Sequence, residues 1–193
     1  AWQQLNRRGP NTPLLDADFI GSLIAEFASG RELIAFYGDE HQPAAAALLH
    51  SPRYGVWETF QPSQAPLGAW LADRTIALEE SVRSLARALP GYALVIGITQ
   101  QDPELNPRPA DSARLRALDY IRTARIAVTG RFEDYWSGRS KNLRHNMKRR
   151  RNRLAEQGTS TRLETVTSPA AIAQAIVDYG ALESAGWKAG HGT

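Results

Sequence analysis

Apolar residues recur at helical spacing in several parts of the chain, which predicts amphipathic helices between turn-forming segments. The predicted helices cover 16–29, 78–89, 111–118, 140–155 and 168–183. Either Asp16 or Asp18 can cap the first helix, and the pair Pro90 and Gly91 ends the second. The segments between these helices therefore have to supply the strands and the loops.

Short apolar runs bounded by turn-forming residues predict the strands. The predicted strands cover 33–37, 44–50, 54–60, 92–98, 120–129 and 161–166. The first two flank a turn at 38–43 and form a hairpin, which favours an antiparallel sheet. The run at 92–98 is the most apolar, so we expect it at the centre of the sheet. Residues 1–13 predict an irregular, turn-rich segment, and 62–71 predict a loop that leads into a short helix.

These elements predict a mixed α/β fold of the α+β type, with a largely antiparallel sheet flanked by helices. The 193 residues are 42% hydrophobic and 22% charged, which is typical of a globular protein that buries a core. The chain has no cysteine, which excludes disulfides, thiolate metal sites and cysteine nucleophiles. The four histidines lack metal-ligand spacing, so no metal site is predicted.

The sequence has no run approaching the roughly 18 apolar residues that a membrane-spanning helix needs. Its N-terminus also lacks the basic and then apolar layout of a signal peptide. A cytoplasmic location is therefore predicted. Because the chain starts without a Met and stops directly after a glycine-rich run, we expect it to be a piece of a longer protein.

Positive charge is concentrated in one segment, 139–154, which contains eight Lys or Arg residues and no acid. The whole chain has 23 basic and 20 acidic residues, for a net charge of +3. Without those eight cations, 15 basic residues stand against 20 acids, and the rest of the chain has a formal charge of −5. Such asymmetry is typical of a binding site for an anionic partner.

On a helical wheel, the apolar residues Leu143, Met147 and Leu154 form a stripe that should face a core. Four cations are predicted on the opposite side, namely Lys141, Arg144, Lys148 and Arg151. Arg150 falls on the stripe itself, where it has to extend to solvent, pair with an acid or face a ligand. The basic helix also lacks the i,i+4 acid pairs that contribute roughly 0.2–0.5 kcal/mol each. A simply solvated face, acids elsewhere in the chain, a phosphate-bearing ligand and a nucleic acid are the alternatives.

The segment 140–150, followed by Leu154 and Gly158, resembles a signature of CelD-like acyltransferases of the GNAT superfamily. That signature is S-K-x-x-R-x-N-x-x-R-R…L…G, and the family is related to the Fem-type aminoacyl transferases. The segments 8–19 and 57–70 also resemble the family. The last segment, ESAGWKAGHGT at 183–193, is similar to its S-W-K-G-x-x-G-T motif.

The resemblance implies two tandem GNAT-like halves, of which this chain supplies the first and the beginning of the second. Residues 1–130 would form the N-terminal GNAT-like domain. Residues 131–193 would form the basic helix and the incomplete opening segment of the acyltransferase-like half. The implied activity is transfer of an acyl group from acetyl-CoA or another acyl-CoA to an amine on a small-molecule or sugar-linked acceptor, linked to cell-envelope polysaccharide metabolism.

The resemblance also implies the candidate site residues. Arg144, Arg149 and Arg150 would contact an anionic substrate or donor, and Trp187 and Lys188 would lie at the acceptor cleft. The alternative for Trp187 is packing at a helix end. Glu183 suits a catalytic base only by residue type, so the catalytic residues stay unassigned. The pyrophosphate loop [QR]-x-x-G-x-[GA] is not found, and we expect it beyond Thr193.

Two other functions stay open. A module that binds tRNA or another nucleic acid would use the four predicted cations of the basic helix to follow phosphates. A noncatalytic interaction domain would need a stable protein partner instead. A homo-oligomer formed through an unpaired sheet edge is compatible with each of these functions.

Overall fold

The computed structural model describes residues 1–39 and 41–186 of the chain. It contains two compact units, the first covering Ala1–Ala124 and the second beginning at Arg125. The first unit contains α1 (Trp2–Arg8), α2 (Ala17–Phe27), β1 (Leu33–Gly38), β2 (Pro43–Arg53), β3 (Val56–Thr59), β4 (Trp70–Ala72), α3 (Leu78–Ala88) and β5 (Val95–Gly97). The second contains α4 (Phe132–Ser137), α5 (Lys141–Glu156) and α6 (Pro169–Ala185).

Strand β2 organises the sheet of the first unit, because it is paired along both edges. On one edge β1 runs antiparallel to it, with Leu33 opposite Leu49 and Tyr37 opposite Ala45. On the other edge β4 pairs with its N-terminal half and β3 with its C-terminal half, both antiparallel. Strand β5 extends the sheet as a parallel neighbour of β3. The predicted α+β class, with a mostly antiparallel sheet flanked by helices, is confirmed.

The run of alanines and leucines in β2 is buried, as expected for a strand covered on both faces. Alternate side chains of this run contribute to two cores. One core contains Ala46 and Leu48 and is completed by Trp2, Leu5, Leu15, Ile20 and Leu23. The other contains Ala45, Ala47 and Leu49 and is completed by Trp57, Trp70, Leu85 and Leu89. The sheet therefore separates α1 and α2 from α3.

Side-chain hydrogen bonds hold α1 against the start of α2. The buried Asn6 donates from Nδ2 to the carbonyl of Thr12 at 2.9 Å and accepts the Thr12 N–H at Oδ1 at 3.2 Å. The side chain of Gln3 accepts the N–H of Ala17 at 2.8 Å and donates to the carboxylate of Asp16 at 2.6 Å. These bonds stabilise a helix that is too short to be stable alone.

Several element predictions are wrong. Residues 2–8 form α1 instead of an irregular segment, because the bonds to the start of α2 hold them. The segment 62–71 leads into β4 instead of a helix, because β2 offers its edge to Trp70 and Leu71. Strand β5 lies at the end of the described strand order and not at its centre, and Val95 is 56% exposed. The described structure has no helix or strand at 111–118, 120–129 and 161–166.

A close crossing joins the loop before β4 to the residues that follow β5. The hydroxyl oxygens of Thr59 and Thr99 lie 2.7 Å apart, and the N–H of Thr99 donates to the Thr59 hydroxyl at 3.0 Å. Gly68 lies directly against this pair. A β-carbon at Gly68 would come within 3.0 Å of both hydroxyl oxygens and of the Thr99 carbonyl. The crossing therefore requires glycine.

We expect Gly68→Ala to lower the free energy of unfolding by roughly 1–3 kcal/mol, because the added methyl group overpacks the buried crossing. Urea denaturation followed by tryptophan fluorescence measures this change. Gly21→Ala is the matched control, since Gly21 lies exposed inside α2 with no atom within 4 Å of the new methyl group. The control should stabilise the chain by roughly 0.5–1 kcal/mol. Equal stability of the two variants would contradict the role of Gly68.

The carboxylate of Glu32 organises the turn between α2 and β1. One oxygen accepts the N–H and the hydroxyl of Ser29, at 2.9 Å and 3.0 Å. The other accepts the N–H groups of Gly30 and Arg31, at 2.9 Å and 3.1 Å. These hydrogen bonds, led by the one from the Ser29 backbone, lower the pKa of Glu32 from 4.5 to about 2. The turn therefore depends on the ionised carboxylate.

Because the folded-state pKa of Glu32 is lowered, its ionised carboxylate stabilises the fold fully above pH 4.5, and this contribution disappears as the pH falls to about 2. We expect Glu32→Gln to be less stable than the natural chain at neutral pH, with the difference shrinking across that window. Thermal unfolding at a series of pH values measures it. Glu26→Gln is the control for the loss of one negative charge, since Glu26 is exposed on α2. A constant difference for Glu32→Gln would refute the assignment.

Candidate functional site

Helix α5 forms from the basic segment, and its start is set by a capping residue. The hydroxyl of Ser140 accepts the N–H of Leu143 at 3.3 Å, which satisfies one of the unpaired donors of the first turn. The helix then continues without interruption over Lys141–Glu156. The predicted helix at 140–155 is confirmed.

The end of α5 is a Schellman motif built around Gly158. The N–H of Thr159 donates to the carbonyl of Leu154 at 2.9 Å, and the N–H of Gly158 donates to the carbonyl of Ala155 at 3.0 Å. Gly158 has φ +68°, a left-handed conformation that glycine adopts without strain. Ser140 and Gly158 of the quoted motif therefore begin and end the helix.

The apolar stripe of α5 lies partly in solvent. Leu143, Met147 and Leu154 fall within an arc of about 40° at about 100° per residue. Their exposed fractions are 44%, 42% and 38%. The stripe is thus continuous, but the described residues do not bury it as a core-facing stripe would be buried.

Four cations of α5 form one continuous row. Lys141, Arg144, Lys148 and Arg151 follow each other at spacings of three and four residues, so they lie on one side of the helix. The row extends for about 15 Å at 1.5 Å per residue. With about 100° of rotation per residue, the centre of the row lies only about 100° around the helix from the centre of the apolar stripe. The row lies beside the stripe, which corrects the prediction that these cations lie opposite it.

The three arginines named as site residues point in different directions. At about 100° per residue, Arg144, Arg149 and Arg150 are separated around the helix by roughly 100–140° from one another. No single phosphate group can contact all three. Arg150 lies at the margin of the apolar stripe and is exposed, so its guanidinium reaches solvent.

The cations of α5 have no acidic partners in the part of the chain that the structure describes. Ion pairs elsewhere in the second unit join residues two positions apart, at 3.7 Å for Arg131 with Glu133 and 2.8 Å for Arg162 with Glu164. Acids elsewhere in the chain were one alternative for balancing the basic helix. The described acids do not do so, and the remaining alternatives are a solvated face, a phosphate-bearing ligand and a nucleic acid.

A cluster of aromatic side chains precedes α5. Phe132 stacks on Trp136 with ring centroids 5.8 Å apart and an interplanar angle of 16°. The guanidinium of Arg139 lies 4.4 Å from the ring centroid of Tyr135, a cation–π contact. The sequence analysis missed this cluster, although the i,i+4 spacing of both pairs was a signal for it. Arg139 therefore has a cation–π partner. Among the described residues, the seven other cations of 139–154 have no such partner.

The remaining predicted site residues are only partly placed. Trp187 and Lys188 lie outside the described residues. Glu183 lies in the last turn of α6, where its carbonyl accepts the N–H of Gly186 at 3.3 Å.

Two cavities of the first unit do not suit a phosphate-bearing ligand. One lies between β1, β2 and α3 and holds about 60 Å³, far below the roughly 300 Å³ of a small ligand pocket. The other is an open groove along α3, where Glu79 and Glu80 balance Arg83 and Arg87. There the Tyr37 hydroxyl donates to Glu80 at 3.0 Å, which raises the pKa of Tyr37. In residues 1–39 and 41–186, no group of three His, Asp or Glu side chains could hold a metal ion.

Comparisons with known proteins give no match, whether with protein-family models, with curated proteins or with solved structures. Every helix in the described part of the chain is too short or too polar to cross a lipid bilayer. The candidate site therefore rests on the geometry and charge of α5.

We expect Gly158→Ala to destabilise the end of α5, because a left-handed residue with a β-carbon costs roughly 1–2 kcal/mol. Hydrogen exchange of the Thr159 amide measures this local effect, and its protection should fall roughly ten-fold. Gly138→Ala is the matched control, since Gly138 has φ −72° and its new methyl group would lie no closer than 3.5 Å to its neighbours. Unchanged protection in Gly158→Ala would show that Gly158 does not end the helix.

Proposed function

We propose that the chain is part of an N-acyltransferase of the GNAT superfamily, which moves an acyl group from an acyl-CoA donor to an amine acceptor. The resemblance of 140–158 and of three further segments to CelD-like proteins supports this proposal. The observed α+β fold is compatible with it. The observation that carries it is the row formed by Lys141, Arg144, Lys148 and Arg151, whose charges have no partner among the described residues.

Coenzyme A carries a pyrophosphate and a further phosphate, so an acyl-CoA donor presents several anionic groups. A row of cations about 15 Å long can contact such groups one after another. Hydrogen bonds from arginine to phosphate are charge-assisted and are stronger than neutral ones. We therefore assign the row to the phosphates of the donor, with Arg144 as its most central arginine.

The proposed role of α5 is binding alone. Acyl transfer to an amine also needs a base for the ammonium proton and donors for the developing oxyanion. No step of the transfer is assigned to a named residue. Acceptors of the proposed class are small-molecule or sugar-linked amines.

We expect the chain to bind acetyl-CoA through the row, and Arg144→Gln together with Arg151→Gln to weaken this binding. Each charge-assisted hydrogen bond contributes roughly 1.5–3 kcal/mol, so the affinity should fall by a factor of ten or more. Isothermal titration calorimetry measures the binding. Turnover with a panel of amines is followed by a thiol reagent, since the chain has no cysteine and released coenzyme A is the only free thiol.

Arg153→Gln is the matched control, because Arg153 belongs to the same helix but points away from the row by roughly 160°, at about 100° per residue. It removes one charge and should leave the affinity for acetyl-CoA nearly unchanged. No detectable acetyl-CoA binding, or an equal loss in the control, would contradict the proposed function.

The same row favours a second candidate function, the binding of a single-stranded nucleic acid. The observation that favours it is the regular spacing of the four cations along α5, whose first four turns contain no acid. Neutralising four phosphates of a single strand gives a slope of log K against log salt of about −3. A random-sequence RNA in place of acetyl-CoA distinguishes the two functions. Tight RNA binding with that slope, together with no acetyl-CoA binding, would favour this second function.

A further inference from the structure

The aromatic side chains of α4 form a platform that is open to solvent. The ring of Phe132 lies nearly parallel to that of Trp136, with centroids 5.8 Å apart, and its centroid is 6.4 Å from that of Tyr135. Phe132 is nevertheless 65% exposed, and no side chain of α4 is buried. Aromatic rings that are held by their own contacts and still exposed are suited to stacking with another flat ring.

The two acids of α4 do not oppose an anionic ligand at this platform. Asp134 lies on the far side of the helix, about 160° around the axis from Trp136 at about 100° per residue. Glu133 forms an ion pair with Arg131 at 3.7 Å, so its charge is balanced. The platform is therefore compatible with a negatively charged ligand.

A short junction joins the platform to the row of cations on α5. The guanidinium of Arg139, the first cation of the basic segment, lies 4.4 Å from the ring centroid of Tyr135. The N–H of Arg139 donates to the carbonyl of Trp136 at 3.1 Å, and only residues 138–140 separate the two helices. At no more than about 3.6 Å per residue, the α-carbons of Trp136 and Lys141 lie within about 18 Å of each other. The platform and the start of the row are therefore neighbours.

This combination selects a ligand in which a flat ring is joined to phosphates. A ligand with phosphates alone would contact the cations and not the platform, and a purely apolar ligand would not use the cations. A nucleotide has both parts, because its base and its phosphates are attached to one ribose. Every base has a π face, so every base can stack on an aromatic side chain. The acyl-CoA donor of the proposed function ends in such a nucleotide, and its base is adenine.

We propose that the ring of Phe132 stacks on the base of the ligand whose phosphates the row binds, which in the proposed function is the adenine of acyl-CoA. The assignment rests on the proposed function and adds a direction to it. The adenosine end of the donor lies at α4, its phosphates follow at Lys141 and Arg144, and its acyl end extends along α5 toward Arg151. A single-stranded RNA, the second candidate ligand, would place one of its bases on the same ring.

Two substitutions of Phe132 separate stacking from simple apolar contact. Phe132→Leu removes the ring but keeps an apolar side chain of high helix propensity, whereas Phe132→Tyr keeps the ring. In calorimetry, we expect Phe132→Leu to weaken acetyl-CoA binding by roughly five- to 150-fold, the range for one stacked base, and Phe132→Tyr to leave it nearly unchanged. Tyr54→Leu is the matched control and should bind normally, since Tyr54 is an 80% exposed aromatic residue of the first unit. Equal affinities of Phe132→Leu and the natural chain would overturn the proposal.

Inorganic polyphosphate is the control ligand, because it has phosphates and no base. The natural chain should bind it through the row, and Phe132→Leu should bind it equally well. Arg144→Gln together with Arg151→Gln should weaken its binding, since these substitutions remove charges from the row. If Phe132→Leu lost as much affinity for polyphosphate as for acetyl-CoA, the effect would lie in the row and the stacking role would be wrong.

A random-sequence RNA distinguishes the two sources of the base. If the natural chain and Phe132→Leu bind acetyl-CoA equally well, the stacking proposal fails while the proposed function stands. If the natural chain binds RNA but not acetyl-CoA, the proposed function fails. In that case, a loss of RNA affinity in Phe132→Leu supports stacking on an RNA base, and an unchanged RNA affinity contradicts it. A natural chain that binds neither ligand contradicts both proposals.

Discussion

The pairing of β2 along both edges is the constraint on which the first unit depends. Its small alanines let Trp57 and Trp70 approach from one face, while α1 and α2 pack on the other. Because β3 pairs with one half of an edge and β4 with the other half, the chain between them has to fold back at close range. The crossing of Gly68 over Thr59 and Thr99 follows from that return.

The sequence predicts best those elements whose stability is local or whose pattern is long. The period of α2, α3 and α5, with their capping residues, gives their positions closely, and the hairpin of β1 and β2 follows from one turn between two apolar runs. Helix α1 and strand β4 could not be predicted in this way. The first depends on hydrogen bonds from Gln3 and Asn6, and the second on an edge of β2. Both depend on partners distant in sequence.

The predicted central position of β5 was wrong because it was based on apolar content alone. Tyr92 to Ile98 has the composition of a central strand, but Val95 is largely exposed in the position at the end of the sheet. Composition reports how much surface a strand can bury, whereas its place in the sheet depends on which strand edge it pairs with. Here β3 occupies the C-terminal half of one β2 edge, and β5 pairs with the outer edge of β3.

For the basic helix, the charges and the helix itself could be predicted from the sequence. Two of the motif residues are weak evidence for the family. Ser140 and Gly158 match the family signature, yet any helix with a side-chain N-cap and a Schellman end would use such residues. In this region, the resemblance to the family is therefore supported mainly by the cations of the motif. Of Arg144, Arg149 and Arg150, only Arg144 lies in the continuous row, because residues one or five positions apart diverge around a helix. In the proposed function, an anion that follows α5 therefore contacts the row, and Arg149 and Arg150 point away from it.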